Sequence, residues 1–106
     1  MRSILQPEED KGCYLCEILK GDYSPKRYRE EHHIYGGPNR KQSEKYGLKV
    51  MLCKRHHTGD ISGCEYAVHR PDKNNYADLL HIKGQQKFEE THTRKEFFDI
   101  FGRNYL

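Results

Sequence analysis

Two short-spaced pairs of metal-ligating residues, Cys13-x-x-Cys16 and Cys53-x-x-His56, constrain this chain more than any other feature. A tight turn presents two ligands at such a spacing, and two turns brought together supply the four tetrahedral sulfur or nitrogen donors that zinc favours. The long insert must then leave one turn and return to the other, so a single ion ties both its ends. Composition shows why a staple is needed. Of 106 residues only 34% are hydrophobic, and the mean hydropathy is −1.10. Apolar burial alone then supports a thin core, and metal binding adds directly to folding free energy. The competing reading makes these ordinary buried cysteines. Cys64 is the extra thiol: it either replaces His56 as fourth ligand, although its distance from Cys53 suits a knuckle badly, or is a small buried or incidental thiol.

Residues 1–10 are polar and lack the apolar centre of a secretion signal, and no later run is long enough to span a bilayer. A reducing cytoplasm is therefore expected, where cysteine pairs more often bind metal than form disulfides. The formal charge of +3 and pI of about 8.6 permit a nucleic-acid partner without demanding one.

The chain reads as one α+β domain: a loose N-terminal arm (1–12), a metal-stapled core (13–70), and C-terminal helices with a tail (71–106). After the first knuckle comes an irregular segment containing Gly21 and Pro25. A strand follows over Lys26 to Tyr35, then a Gly36-Gly37-Pro38-Asn39 loop. Arg40 to Tyr46 makes one or two helical turns, terminated by Gly47. Leu48 to Leu52 is a second strand running into Cys53. A helix begins near Cys53 or His56, bounded by Gly59 and Gly63. Tyr76, Leu79, Leu80 and Phe88 recur near helical spacing within Asn75 to Glu90. Thr93 and Glu96 form a capping-box pattern before an apolar face of Phe97, Phe98 and Phe101, and Gly102 ends that helix.

The histidines raise a second question. With His56 assigned to zinc, His32, His33, His57 and His69 remain, clustered around the strand–loop–strand–helix unit. Neighbours on a strand point to opposite faces, so His32 and His33 cannot easily share one role. One can ligate a metal while the other faces a substrate, the division that metal-assisted hydrolysis requires. His81 and His92, in the polar C-terminal helices, receive no role. Tyr14, Tyr35 and Tyr46 either stack on bases or pack in the core.

The order His32-His33, a Gly–Asn loop, then Leu52-Cys53-x-x-His56-His57 resembles the HNH nucleases, whose core is a ββα-metal finger of treble-clef type. In zinc-stapled members two knuckles like these flank the motif. The likeness runs from Cys13 to His69. The Ala67-Val68-His69 run and the tail from Phe101 to Leu106 are similar to small phage-encoded members. The resemblance implies that His32 ligates a catalytic divalent cation, Mg²⁺, Mn²⁺, Ni²⁺ or Zn²⁺, while His33 acts as general base. It places His57, directly behind the last zinc ligand, on the same cation. His69 is a further metal ligand or a phosphate contact. Many members carry an asparagine at the position that is Leu48 here. The nearest substitute is Asn39, whose amide is expected to restrain the loop or orient His33.

The implied reaction is hydrolysis of a nucleic-acid phosphodiester, with double-stranded DNA as the expected substrate and a phage or host protein as an optional partner. Arg40, Lys41, Lys54, Arg55 and Arg70 flank the motifs and are candidates for phosphate contacts, which position a duplex without reading its sequence. Two rival functions carry the same staple: a non-catalytic treble-clef zinc module that binds nucleic acid or protein, and a packaging accessory that merely retains the fold.

Overall fold

Cys13 opens a helix rather than a bare turn. In the computed structural model, which describes residues 1–59 and 66–106, α1 spans Tyr14–Lys20 where an irregular segment was expected. Leu15 and Ile18 turn to one side and pack in the core. Gly21, which reads as a breaker, is the helix C-cap in the left-handed region at φ 65°. The Gly21 N–H donates to the Glu17 carbonyl, the bond of an αL closure, and that of Asp22 to the Cys16 carbonyl.

The strands β1 (Arg29–His33) and β2 (Lys49–Cys53) form an antiparallel pair with Arg29 opposite Cys53 and His33 opposite Lys49. β1 is shorter than the expected Lys26–Tyr35 run because Ser43 takes over the backbone of Tyr35. The Ser43 hydroxyl accepts from the Tyr35 N–H (3.0 Å) and donates to its carbonyl (2.8 Å). The expected loop contains one 3₁₀ turn (Gly37–Asn39), followed by α2 (Arg40–Tyr46), closed by Gly47 as the sequence indicates. β2 runs straight into the single-turn α3 (Lys54–His57), and α4 (Tyr76–Phe88) and α5 (Arg94–Phe101) complete the chain. The Thr93/Glu96 capping box is formed in both directions. Phe97 and Phe101 face inward, whereas Phe98, expected on the same face, is half exposed; a helix turns successive residues about 100° apart, so adjacent phenylalanines cannot share one stripe. Cys64 and Gly63 lie outside the described residues.

The N-terminal arm is not loose. The buried Gln6 accepts from the Met51 N–H (2.8 Å) and donates to the Gly12 carbonyl (3.1 Å), and the Ser3 hydroxyl donates to the Lys49 carbonyl. These bonds occupy the free edge of β2. Gly47 makes the approach feasible twice over: its φ is 70°, and a Cβ there would lie 2.3 Å from the Arg2 carbonyl.

Tyr35 sits at the centre of the C-terminal packing, with ring contacts to Phe97, Phe101 and Tyr105 and a hydrogen bond from its hydroxyl to the His81 carbonyl (2.6 Å). The core therefore joins α4 and α5 to the end of β1 and continues on the hairpin face of Val50 and Leu52, the residues paired with His32 and Glu30. Among the described residues no helix is long and apolar enough to cross a membrane.

Candidate functional site

Three elements deliver the four knuckle residues to one point. Cys13 is the N-cap of α1, Cys16 lies in its first turn, Cys53 ends β2, and His56 sits in α3. His56 Nδ1 lies 3.6 Å from Cys13 Sγ and 3.4 Å from both Cys16 and Cys53, while the Cys16 and Cys53 sulfurs are 4.0 Å apart. A tetrahedron with bonds of about 2.3 Å to sulfur and about 2.0 Å to nitrogen has S···N edges of about 3.5 Å and S···S edges of about 3.8 Å. The donors fit that shape, and a sulfur separation of 4.0 Å is far outside a disulfide of about 2.05 Å. The group can hold a metal ion such as zinc. Burial, then the Cys13 and Cys53 thiols, pushes the Cys16 thiol up to about 12, and burial raises that of Cys13, so a bound cation must displace their protons.

The pleat of β1 separates the histidine doublet. Glu30 and His32 take one face, Glu31 and His33 the other. On the first face His32, His57 and His69 converge, their nearest ligand atoms all within 4.8 Å of one another. His69 is returned to the site by backbone bonds: Val68 N–H donates to the His56 carbonyl (2.6 Å) and His69 N–H to that of His57 (3.4 Å), while Ala67 and Val68 are buried as the anchor. The Nε2 atoms of His57 and His69 face each other at 3.1 Å. Two neutral imidazoles can meet there only through a shared proton, whereas a cation would satisfy both lone pairs. Glu30 Oε1 stands 3.4 Å from His57 Nδ1, an ion-pair distance without hydrogen-bond alignment, which leaves that buried nitrogen without a hydrogen bond among the described residues. Burial, then the other histidines, lowers His32 to about 3; burial, then His57, lowers His69. Both are therefore neutral at pH 7 and present lone pairs that could take a metal ion.

On the opposite face His33 Nε2 lies 3.4 Å from Glu44 Oε1 and 3.6 Å from Glu31 Oε1. Lys49 Nζ meets the other oxygens of the same carboxylates at 2.6 Å and 3.4 Å. This third group of potential ligands already has its cation, the Lys49 ammonium, and its effect is to fix the His33 ring. A cleft of about 400 Å³ joins the two faces, lined by His32, His33, His57 and His69 with Arg40 at its rim.

The remaining expectations divide. Asn39 does not orient His33: its amide donates to the Phe101 carbonyl (3.2 Å), tying the loop to the end of α5. Lys41 is exposed on α2 and does not line the cleft. Lys54 lines a separate groove. The Arg55 guanidinium sits 4.3 Å over the Tyr66 ring, and Arg70 forms a two-point pair with Asp72. His81 lines the cleft and stacks on Tyr35, and Glu30 and Glu44 flank the histidines; sequence reasoning assigned none of these three a role. Glu30 was legible, since strand alternation puts it beside His32. Glu44 reaches His33 only through the placement of α2.

No known protein family, characterised protein or solved structure matches this chain.

Proposed function

We propose that the chain is a metal-dependent endonuclease of the HNH type, hydrolysing nucleic-acid phosphodiesters, with double-stranded DNA as the expected substrate. The observation that carries this reading is the second metal-competent cluster, in which His32, His57 and His69 converge in one cleft with a separately held His33. In this reading Cys13, Cys16, Cys53 and His56 hold a structural zinc, and β1, β2 and α3 form a ββα-metal finger of treble-clef kind.

His32, His57 and His69 would hold a divalent cation, which would supply Lewis-acid stabilisation of charge on the phosphate; nitrogen donors favour Mn²⁺, Ni²⁺ or Zn²⁺ over Mg²⁺. His33 takes the proton of the attacking water at Nδ1. The Glu44 and Glu31 carboxylates face its Nε2, holding the tautomer that leaves Nδ1 free and stabilising the imidazolium once it forms. Arg40, at the rim, pairs with a non-bridging phosphate oxygen.

Nicking of supercoiled plasmid tests this with Mn²⁺, Ni²⁺, Zn²⁺ and Mg²⁺ added in turn. Loss of the general base in His33→Ala is expected to slow cleavage by about 10²–10⁴-fold. No cutting by the wild type with any of the four ions, or equal cutting by the variant, overturns the reading. One observation favours a non-catalytic zinc module instead: Asn39, the nearest substitute for the family asparagine, is held by Phe101. Metal-independent binding of nucleic acid without any cleavage is its signature.

A further inference from the structure

A second groove adjoins the histidine cluster and belongs to none of the chemistry above. It measures about 490 Å³ and is lined by Arg27, Tyr28, Arg29, Glu30, Lys54 and Thr58. Glu30 forms the shared wall, since its carboxylate is the one facing His57. The groove lies at the open end of the hairpin: Arg29 and Cys53 are the last paired positions, and Tyr28 and Lys54 flank them.

Its surface is unusual for a solvated edge. Tyr28 is 69% exposed with the Arg27 guanidinium 5.4 Å over its ring. Neither Arg27 nor Lys54 has an ion-pair partner among the described residues, whereas Arg29 is held by the Asp10 and Gly12 carbonyls. Three cations against the single carboxylate of Glu30 leave the lining positive. An exposed ring beside unpaired cations matches what an unpaired nucleotide presents, a flat base face with a phosphate next to it. A continuous duplex hides its base faces and has nothing to lay on Tyr28.

We propose that the Arg27–Tyr28–Lys54 groove is a subsite for single-stranded nucleic acid, in which Tyr28 stacks on one unpaired base while Arg27 and Lys54 hold the adjoining phosphates. The subsite extends the path of the strand entering the histidine cleft, and to that extent rests on the nuclease reading. It orients substrates so that an unpaired stretch lies beside the site of cutting.

Fluorescence anisotropy without added divalent cation separates this from cleavage. The probes are a fluorescein-labelled single-stranded DNA of about 12 nucleotides and mixed sequence, spanning one site of the size such grooves cover, and a blunt duplex of the same sequence. Tyr28→Ala is expected to weaken single-strand binding about 5- to 150-fold, the range for one base–aromatic stack, with duplex binding unchanged and Tyr28→Phe near wild type. Lys54→Ala and Arg27→Ala are expected to flatten the salt dependence of single-strand binding. Unaltered single-strand affinity in Tyr28→Ala, an equal loss for both probes, or no binding by the wild type overturns the proposal. Equal affinity for polyglutamate of matched charge overturns it in favour of an acidic peptide. Tyr28-dependent binding without cleavage would retain this subsite while removing the nuclease reading, and cleavage insensitive to Tyr28 would do the reverse.

Discussion

Replacing Cys16 by alanine tests how much of the fold the metal cluster holds. The two knuckles are far apart in sequence, with Cys16 and Cys53 separated by 37 positions. Closing a loop of that length removes chain entropy worth about 4 kcal/mol from the unfolded state, before any ligand-bond energy is counted. Structural zinc sites contribute about 10–16 kcal/mol in total, as much as or more than the roughly 5–15 kcal/mol that holds an ordinary domain folded. Even the loop term alone corresponds to a fall in Tm of about 15–30 °C at this chain length. Cys16→Ala should therefore lose its metal and melt at least that much lower, and excess chelator should do the same to the wild type. Far-UV circular dichroism on heating, paired with metal content by mass spectrometry, measures both. His57→Ala is the control, since it removes a ligand of the histidine cluster and should keep one tightly bound zinc. A Cys16→Ala protein that melts within a few degrees of the wild type would show that α1, β2 and α3 are held by packing and refute the staple.

Glu30→Ala should weaken Mn²⁺ binding at the histidine cluster by about 10-fold, the lower end of the range for removing a carboxylate behind a ligating histidine, because the carboxylate faces His57 without hydrogen-bond alignment; titration calorimetry on the zinc-loaded protein reads it. Glu44 is held down to about 2, first by Lys49. Its folded value lies below the unfolded one, so its stabilisation is complete above about pH 4.5 and fades as pH falls towards 2. Glu44→Gln should flatten that acid limb of the Tm profile, and an unchanged limb would remove Glu44 from the charge network. Gly84→Ala offers a helix-propensity gain of about 1 kcal/mol but an overpacking penalty of about 1–3 kcal/mol. Its Cβ would fall 2.7 Å from the Tyr35 hydroxyl oxygen and 3.3 Å from Ile34 Cγ2. Net destabilisation is expected by denaturant titration, relieved in part when Tyr35→Phe removes the clashing oxygen.

Features of this chain that depend on near neighbours are legible in its sequence. The ligand spacing of Cys13, Cys16, Cys53 and His56, the helix ended by Gly47 and the Thr93/Glu96 capping box are each governed by contacts a few residues long. The alternation of β1 likewise sends His32 and His33 apart whatever lies around them. The misreadings share an opposite cause. Gly21 closes α1 rather than breaking the chain, and that depends on Leu15 and Ile18 finding a core to bury against. The arm is ordered because Gln6 reaches Met51. Of the two roles expected of Asn39, loop restraint is the one formed, because the end of α5 comes to it.

Which side chains can ligate, and how the strand divides them, follows from spacing and pleat, which are local geometry. Their partners follow from tertiary packing. Backbone bonds to α3 return His69 to His57, α2 brings Glu44 to His33, and the end of the hairpin sets Tyr28 beside Lys54. Each of those contacts joins segments whose distance in the chain carries no information about their distance in space.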